Sequence, residues 1–272
     1  MAKFQFGFIG CGNMGGALVR AIAPCIGGEQ VLVADFLQAN TAALHDTYGV
    51  TVALNAAEVV KNAKYIFLGV KPQGMRALLE EISPILKEKN ERYVLVSMAA
   101  GVTVATLCEM VGLEDVPIVR ILPNTPAVYG KGMTLYCCGE HVSTEEEHDI
   151  VQALKAAGEV DCLSEKLIDA GCAVSGCGPA FVYLFMEAMA DGAVAAGLPR
   201  QKAMLYAAQT VLGAAEMLLQ SGKHPGELKD AVCSPGGSTI CGVHALEEGA
   251  FRATVMNAVL DAYEKTKSLG NS

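Results

Sequence analysis

The stretch FQFGFIGCGNMG, at residues 4–15, joins a short apolar run to a glycine-rich segment. Gly10, Gly12 and Gly15 have the spacing G-x-G-x-x-G, and the motif follows a predicted strand and opens a predicted helix. The first glycine permits a tight turn, the second lets backbone approach a pyrophosphate, and the third lets the helix pack closely on the strand. A glycine-rich turn without a ligand is the alternative, but the stretch predicts a helix N-terminus that faces a dinucleotide phosphate.

Strands and helices alternate outward from this stretch. Near-continuous hydrophobic runs, typical of parallel strands covered on both faces, occur at residues 4–9, 31–34, 65–70, 93–97 and 118–122. Helical patterns such as residues 74–86 separate them, and further strands are predicted at 133–138 and 160–163. Between these two, Ser143 and Glu146 form a capping-box pattern. The fold class is therefore α/β, with a doubly wound, Rossmann-type sheet over residues 1–163.

The character of the sequence changes at about Ser164. Ala, Met and Leu then dominate at helical spacing, and the β-rich runs end. We predict an all-α second domain over residues 164–272, in which the stretch EAMADGAVAAG at 187–197 lets helices approach closely. This stretch is either an internal core or a subunit interface, and a domain with so little polar surface favours the interface and hence a homodimer.

The composition excludes several classes of protein. The net charge of −9, with only 20 basic residues, argues against nucleic acid as a partner. We see no signal peptide and no run of about 18 apolar residues, so we expect no membrane partner and a cytoplasmic location. The ten cysteines lack a C-x-x-C pair and lie mostly in apolar runs, as Cys162 and Cys241 do. We expect buried reduced thiols and no metal site.

Asp35 stands at the end of the second predicted strand. A carboxylate there can accept hydrogen bonds from ribose hydroxyls and would repel a 2′-phosphate. No Lys or Arg occurs between Arg20 and Lys61, so a phosphate would find no cation nearby. Asp35 could also be a solvated turn residue, but the pattern slightly favours NADH over NADPH as cofactor.

Three further segments follow predicted strands, at the edge where open α/β sheets bind ligands. They are VKPQ at 70–73, SMAAG at 97–101 and PNTP at 123–126. The small residues Ala99 and Ala100 leave room for a flat nicotinamide ring. Each segment alone could be a turn, but together they predict a cofactor site beside the glycine motif.

Four segments together resemble the pyrroline-5-carboxylate reductase family, and the resemblance covers essentially the whole chain. They are FIGCGNMG at 8–15, VKP at 70–72, SGCGPA at 175–180 and SPGGSTI at 234–240. Two positions depart from the usual pattern: Cys177 stands where Ser is common, and Ser238 where Thr or Ala is usual. The resemblance implies a Rossmann domain, a helical substrate-binding and dimerisation domain, and dimers that often assemble into larger rings. It also implies reduction of 1-pyrroline-5-carboxylate to proline with NADH or NADPH, the last step of proline biosynthesis.

The resemblance also implies which residues form the site. Ser234, Gly237, Ser238 and Thr239 would contact the substrate carboxylate, and the Thr239 hydroxyl, as the catalytic group, would contact the ring nitrogen. Asn55 and the VKP segment would contact the cofactor. With the glycine motif and the strand ends, the predicted cofactor-binding set is Ile9, Gly10, Cys11, Gly12, Asn13, Met14, Asp35, Asn55, Val70, Lys71, Pro72, Ala99 and Ala100.

The residues make this chemistry reasonable. A protonated imine is already electrophilic, and the hydride comes from the cofactor, so the protein mainly has to orient the two. The turn at 234–237 can direct N–H groups at an anion, and a helix beginning near Thr239 adds its dipole, although a simple helix cap would use the same residues.

Two other functions remain open. A related dehydrogenase or imine reductase could act on another small carboxylate substrate, such as a 3-hydroxy acid. Oxidation of a hydroxy acid usually needs a Lys or His, and neither SGCGP nor SPGGST contains one. A non-catalytic redox sensor would bind the dinucleotide but would need no substrate segment.

Overall fold

The computed structural model describes residues 2–269, which fold into two compact units. The first unit runs to Cys177 and takes in the end of the last helix from Ala262 onward; the second is Gly178–Asp261. The domain boundary that we expect at 163/164 stays a prediction. By compactness, the helix that follows this boundary belongs to the first unit.

The first unit is built on one eight-stranded sheet of order β3-β2-β1-β4-β5-β6-β7-β8. All neighbouring strands are parallel except β6 and β7, which are antiparallel. The chain starts at β1 and winds outward in both directions, so the predicted doubly wound α/β fold is confirmed. The strands are β1 (Phe4–Ile9), β2 (Val31–Ala34), β3 (Thr51–Val52), β4 (Ala63–Leu68), β5 (Val94–Ser97), β6 (Ile118–Leu122), β7 (Gly132–Cys138) and β8 (Gly158–Cys162).

Twelve α-helices are present in the described part of the chain. In the first unit they are α1 (Asn13–Ile26), α2 (Gln38–Tyr48), α3 (Ala56–Asn62), α4 (Pro72–Glu88), α5 (Val104–Val111), α6 (Thr144–Leu154) and α7 (Glu165–Ser175). In the second they are α8 (Gly178–Ala195), α9 (Arg200–Ser221), α10 (Pro225–Val232) and α11 (Ser238–Glu248). The last helix, α12 (Phe251–Leu269), begins in the second unit and ends in the first.

The core of the first unit lies on both faces of the sheet. Phe6, Phe8 and Phe67 point to one face, where the rings of Phe8 and Phe67 stack with centroids 4.5 Å apart. Ile66 and Leu68 point to the other face. Because alternate residues of each strand enter opposite apolar clusters, the strands read as unbroken hydrophobic runs. Burial of each large side chain contributes roughly 1.5–3 kcal/mol.

The helix α6 begins at the predicted capping box. Ser143 Oγ accepts a hydrogen bond from the Glu146 N–H at 3.3 Å, and Glu146 Oε2 accepts one from the Ser143 N–H at 2.9 Å. Glu146 also accepts hydrogen bonds from Arg92, at 2.7 and 2.9 Å. The Arg92 guanidinium holds the pKa of this carboxyl at about 2.

The second unit is helical, as we expect from the sequence. Helices α8 and α9 pack through the buried methyl groups of Ala190, Ala203 and Ala207, which confirms the predicted close approach. Large apolar side chains remain exposed on α8 and α9 in the single chain, among them Tyr183, Leu184, Leu205, Tyr206, Leu212 and Leu219.

Two expectations need correction. All ten cysteines are free thiols, but Cys25, Cys162 and Cys241 are exposed rather than buried. Cys162 lies on β8, the last strand in the sheet order, and most residues of this strand face solvent. The helical stretch Glu165–Ala195 is long and apolar enough to cross a membrane by length and composition alone, whereas we expected no such segment.

Candidate active site

The three glycines of the motif occupy three different environments. Gly10 has a φ of 93°, and a Cβ there would lie 2.7 Å from the Gly69 carbonyl oxygen. A Cβ on Gly15 would lie 2.0 Å from the Gly10 carbonyl oxygen, so α1 packs directly on the turn. At Gly12, by contrast, no heavy atom of the described chain outside its immediate neighbours lies within 4 Å of a Cβ. Gly12 therefore lines open space, as approach to a pyrophosphate requires.

The N-terminus of α1 fits an anion. Gly12 is the N-cap residue and makes no side-chain cap hydrogen bond within the described chain. The first turn, which includes Asn13 and Met14, contains no acidic residue. The N–H groups of this turn and the positive end of the helix dipole are therefore available to a phosphate, and the residues present fit NADH or NADPH.

Asp35 ties the end of β2 to the glycine motif. Its Oδ2 accepts a hydrogen bond from the Cys11 N–H at 2.6 Å, and its Oδ1 accepts one from the Leu37 N–H at 2.8 Å. These bonds fix the carboxylate beside the motif, where ribose hydroxyls would reach it. The next residue, Phe36, is 99% exposed and apolar, so it supplies no positive charge for a 2′-phosphate.

Ile9 and Cys11, on either side of Gly10, both have buried side chains. The Cys11 side chain is buried, and burial together with the charge of Asp35 raises the pKa of its thiol to about 12. The thiol therefore stays protonated and is no nucleophile. Ile9 is buried in the sheet core, and its carbonyl oxygen accepts a hydrogen bond from the Gly69 N–H at 2.7 Å. Neither side chain lies open to a ligand, so only their backbones remain candidates for cofactor contact.

The segment Val70-Lys71-Pro72 lies on the same edge of the sheet. It follows Gly69, where a Cβ would lie 2.2 Å from the Gly10 carbonyl oxygen. Lys71 is the N-cap residue of α4, and Pro72 is its first residue. The predicted strand 65–70 is Ala63–Leu68 in the structure, so this segment is a loop and a helix start that directly follows the residue packed against Gly10.

Asn55 is the N-cap residue of α3. Its Oδ1 accepts a hydrogen bond from the Glu58 N–H at 3.0 Å. The cap explains an Asn at this position without a ligand. Contact of Asn55 with the cofactor stays a prediction, as do the other assignments of site residues.

The loop after β5, residues 98–102, carries Ala99 and Ala100. Ala99 is only 1% exposed, so its methyl group packs in the core and only its backbone can face a nicotinamide. Ala100 packs against the apolar cluster that includes Leu122 of β6 and Ile168 of α7. The Met98 N–H donates to the Leu68 carbonyl oxygen at 3.3 Å, which anchors the start of the loop.

The segment PNTP after β6 has a structural explanation. The buried Asn124 donates from Nδ2 to the Ser175 carbonyl oxygen and accepts at Oδ1 from the Met133 N–H, both at 2.8 Å. Its amide is therefore occupied in joining β6, β7 and α7. Of the two readings of this segment, a turn or a cofactor contact, the structure supports the turn for Asn124.

The segment that we predict to bind the substrate, residues 234–239, lies in the second unit. Gly236 has a φ of 67°, and the Gly237 N–H donates to the Ser234 carbonyl oxygen at 3.0 Å, which closes a turn. Helix α11 follows and starts at Ser238, one residue before Thr239, near which we predict its start. Its N-cap residue, Gly237, makes no side-chain cap hydrogen bond in the described chain. Its first turn has no acidic residue, and Ser234, Ser238 and Thr239 are exposed. This helix start fits a small carboxylate.

The segment SGCGP connects α7 to α8. A Cβ on Gly176 would lie 2.8 Å from the Cys172 sulfur, and the Cys177 N–H donates to the Cys172 carbonyl oxygen at 3.2 Å. From the sequence this segment either lines the site or allows close packing, and for Gly176 the structure supports close packing.

Arg120 is a residue that the sequence reading missed. It lies in the middle of β6 and is 0% exposed, with acidic partners on α7. The signal was a single cation within the apolar run IVRIL, because a charged residue in a buried strand needs partners.

Comparison with known proteins covers both halves of the chain. A family model described as pyrroline-5-carboxylate reductase dimerisation matches residues 165–269, and one described as NADP oxidoreductase coenzyme F420-dependent matches residues 5–101. The pyrroline-5-carboxylate reductase of Escherichia coli (strain K12) is 43% identical over 98% of this chain and 99% of its own. That of Arabidopsis thaliana is 40% identical over 99% of this chain and 97% of its own.

Solved structures agree with these relatives. The structure of Plasmodium falciparum pyrroline carboxylate reductase with NADP bound superimposes with a TM-score of 0.89 and 34% identity, covering 99% of both chains. A pyrroline-5-carboxylate reductase from Coxiella burnetii gives a TM-score of 0.89 and 30% identity, covering 99% of this chain and 100% of its own.

Proposed function

The chain belongs to the pyrroline-5-carboxylate reductase family and is an NAD(P)H-dependent oxidoreductase that reduces 1-pyrroline-5-carboxylate to proline; we propose how its own residues divide this work. The observation that carries the proposal is the presence, in one chain, of two uncapped helix starts that each follow a glycine turn. One, at Gly12, suits a diphosphate, and the other, at Gly237, suits a small carboxylate.

The first unit holds the cofactor, which supplies the hydride. The backbone of Gly10–Met14 binds the diphosphate at the start of α1, and Asp35 accepts hydrogen bonds from a ribose. The backbone of the VKP segment and Asn55 line the path of the dinucleotide along the sheet edge. The loop at Ala99 and Ala100 would face the nicotinamide, where its small residues leave room for the flat ring.

The second unit holds the substrate. The Ser238 and Thr239 N–H groups and the Ser234 hydroxyl bind its carboxylate, assisted by the dipole of α11. Gly237 has no side chain, and a Cβ there would collide with Ser234 Oγ, so glycine leaves room for this hydroxyl. The Thr239 hydroxyl accepts a hydrogen bond from the protonated imine and donates one to the product amine. Thr239 thereby orients the C=N bond without having to act as a strong acid.

We infer a slight preference for NADH. Asp35 is fixed by two backbone N–H groups, and Phe36 beside it is exposed and apolar. A 2′-phosphate would meet a fixed carboxylate and no cation on this stretch, because Arg20 and Lys61 are the nearest basic residues along the chain.

We also infer the assembly and location. The match to a dimerisation model supports an oligomer, and we propose a homodimer as its unit, with a ring of dimers as the larger assembly. The apolar stretch Glu165–Ala195 lies within the region that this model matches. Few residues of its most apolar part are buried in the single chain. We therefore propose that a second copy of the chain covers it rather than lipid. The net charge of −9 supports a protein that binds no nucleic acid, and we propose a cytoplasmic location.

One assay separates the possible functions. Loss of NADH absorbance is followed with 1-pyrroline-5-carboxylate, with a 3-keto acid as the control substrate. We expect turnover with the imine only. Turnover with the keto acid would indicate a hydroxy-acid dehydrogenase, and binding of NADH without turnover of either substrate would indicate a redox sensor.

A further inference from the structure

The Arg120 guanidinium is a cation inside the first unit with two acidic partners on one helix. Its Nη2 donates to Asp169 Oδ1 at 2.5 Å, and its Nη1 lies 3.5 Å from Glu165 Oε1. Nε and Nη1 make no hydrogen bond within the described chain. Arg120 therefore links β6 to α7 by one hydrogen bond to Asp169 and one ion pair with Glu165.

Glu165 also binds the residue that follows the loop after β5. Its Oε1 also accepts a hydrogen bond from the Val104 N–H at 2.7 Å. Val104 is the first residue of α5, and the preceding Thr103 caps the same helix by accepting from the Thr106 N–H at 3.1 Å. Glu165 thus fixes the point at which the loop of Ala99 and Ala100 ends.

The loop and α7 also pack against each other. Ala100 and Val104 contact the cluster that contains Ile168 and Cys172 of α7. A shift of α7 would therefore reach the loop both through the Glu165 hydrogen bond and through these apolar contacts. Misplacement of a reacting group by about 1 Å is enough to slow a reaction by roughly 100-fold.

We propose that Arg120 is a positioning residue for hydride transfer, which acts by holding Glu165, and through it the loop that faces the nicotinamide. The inference rests on the proposed function, because it takes that loop to face the nicotinamide. Stability alone explains Arg120 poorly, since a buried ion pair is often no more stable than apolar residues of the same volume. A fork-shaped guanidinium, however, fixes the relative position of two carboxylates.

An existing cavity makes this inference testable by chemical rescue. A cavity of about 250 Å³ lies against Arg120 and is lined also by Lys166, Tyr263 and Lys267. In an Arg120→Ala variant the space left by the side chain joins this cavity. A free guanidinium ion can then reach Glu165 and Asp169 from solvent.

The experiment measures hydride transfer in single turnovers of the full-length enzyme with NADH and its 4-deuterated form. We expect Arg120→Ala to lower the rate about 10- to 100-fold and to raise the deuterium isotope effect, with NADH affinity changed less than about 2-fold. Millimolar guanidinium chloride should restore at least about a third of the rate, whereas sodium chloride at the same ionic strength should not. Arg92→Ala is the matched control, because Arg92 also pairs with a buried glutamate but lies away from this loop.

A second pair of variants keeps the test valid if Arg120→Ala does not fold. Glu165→Gln retains an oxygen that accepts from the Val104 N–H and should keep the rate within about 3-fold, whereas Glu165→Ala should lose about 10-fold. Wild-type rates and isotope effects in folded Arg120→Ala or Glu165→Ala would overturn the inference. So would a loss of rate without any change in isotope effect. Absence of turnover in the wild type would instead refute the proposed function.

Discussion

Thr239 is the single side chain assigned to the reacting bond. It stands in the first turn of α11, is exposed in the single chain, and follows the glycine turn at Gly236 and Gly237. This position lets its hydroxyl and its N–H serve the same ligand from one helix start. The substrate has its carboxylate on the carbon bonded to the imine nitrogen, so the N–H and the hydroxyl of one residue can contact these two neighbouring groups.

We expect Thr239→Ala to lower kcat about 10- to 100-fold, because the hydrogen bond to the imine nitrogen is lost. The dissociation constant for NADH should stay within about 2-fold, since the cofactor residues lie in the other unit. Thr239→Ser, which keeps the hydroxyl, is the control and should retain most activity. Steady-state kinetics and NADH fluorescence titration measure both quantities, and an unaltered kcat in the alanine variant would remove Thr239 from the mechanism.

The NADH preference that we propose depends on the charge of Asp35. Asp35→Asn keeps the shape but removes the repulsion of a 2′-phosphate, so the ratio of kcat/KM for NADPH to that for NADH should rise about 10-fold. Phe36→Arg in the same chain should raise it further by supplying a cation. Asp46→Asn on the exposed part of α2 is the control. A strong NADPH preference in the wild type would contradict the role given to Asp35.

Two glycine-to-alanine substitutions at the start of α1 distinguish a packing role from a ligand-binding role in the glycine motif. Gly15→Ala places a methyl group 2.0 Å from the Gly10 carbonyl oxygen, so we expect a loss of about 2 kcal/mol or more in the free energy of unfolding. The methyl group of Gly12→Ala has no heavy atom of the described chain within 4 Å apart from its immediate neighbours, so stability should change by less than about 1 kcal/mol. This substitution should nevertheless weaken NADH binding about 10-fold, because the methyl group fills the approach to the diphosphate. Urea unfolding and fluorescence titration distinguish the two, and normal NADH binding by Gly12→Ala would place the diphosphate elsewhere.

Helix α6 links stability to pH through its capping box. Glu146 has a side chain only 5% exposed, and the Arg92 hydrogen bond lowers its pKa from 4.5 to about 2. A carboxyl with a depressed folded pKa stabilises the protein above about pH 4.5, and this contribution is lost as the pH falls toward 2. Arg92 is half-exposed, which screens the pair.

Between pH 5 and pH 3 we therefore expect the wild type to lose about 1.5 kcal/mol more unfolding free energy than Glu146→Gln, which cannot titrate. Urea denaturation at each pH measures the difference. Parallel pH profiles of the two proteins would show that Glu146 is not held by Arg92 in solution.

The elements of the first unit could be predicted well where hydrophobic runs are long. The runs at 4–9, 31–34 and 118–122 match β1, β2 and β6, because both faces of these strands are buried. Strand β3 was not predicted, since its two residues Thr51 and Val52 are exposed and leave no hydrophobic pattern. The place of α7 could not be predicted either. Its contacts with β6 include the Arg120–Asp169 hydrogen bond, and pairing between residues 49 positions apart leaves no trace in local periodicity.

The site residues, too, could be predicted only where the signal is local in the sequence. The glycine motif and the turn at Ser234–Gly237 were readable because backbone geometry dictates glycine there. The burial of Ala99, the capping role of Asn55 and the hydrogen bonds of the Asn124 amide to Ser175 and Met133 were not, because they depend on neighbours that only the fold brings together.

The protein as a whole is expected to be a dimer through its second unit. The exposed apolar residues Leu205 and Leu212 of α9 are the kind that subunit contact covers. We expect the double variant Leu205→Glu, Leu212→Glu to be a monomer and to have kcat/KM lowered at least about 10-fold. Light scattering after gel filtration measures the mass, and the NADH assay measures kcat/KM. Gln152→Glu on α6 adds a charge to the first unit as a control. A wild type that is monomeric, or that sediments with phospholipid vesicles, would contradict dimer burial of this surface.

The path of α12 affects how the chain can be made. Because residues from Ala262 onward belong to the first unit, the polypeptide crosses between the two units twice. A nascent chain that has emerged only as far as Cys177 therefore lacks part of its own nucleotide-binding unit. That unit can be completed only after the part of α12 from Ala262 onward has left the ribosome. A stop codon shortly before α12 would therefore remove part of the first unit as well as the end of the second.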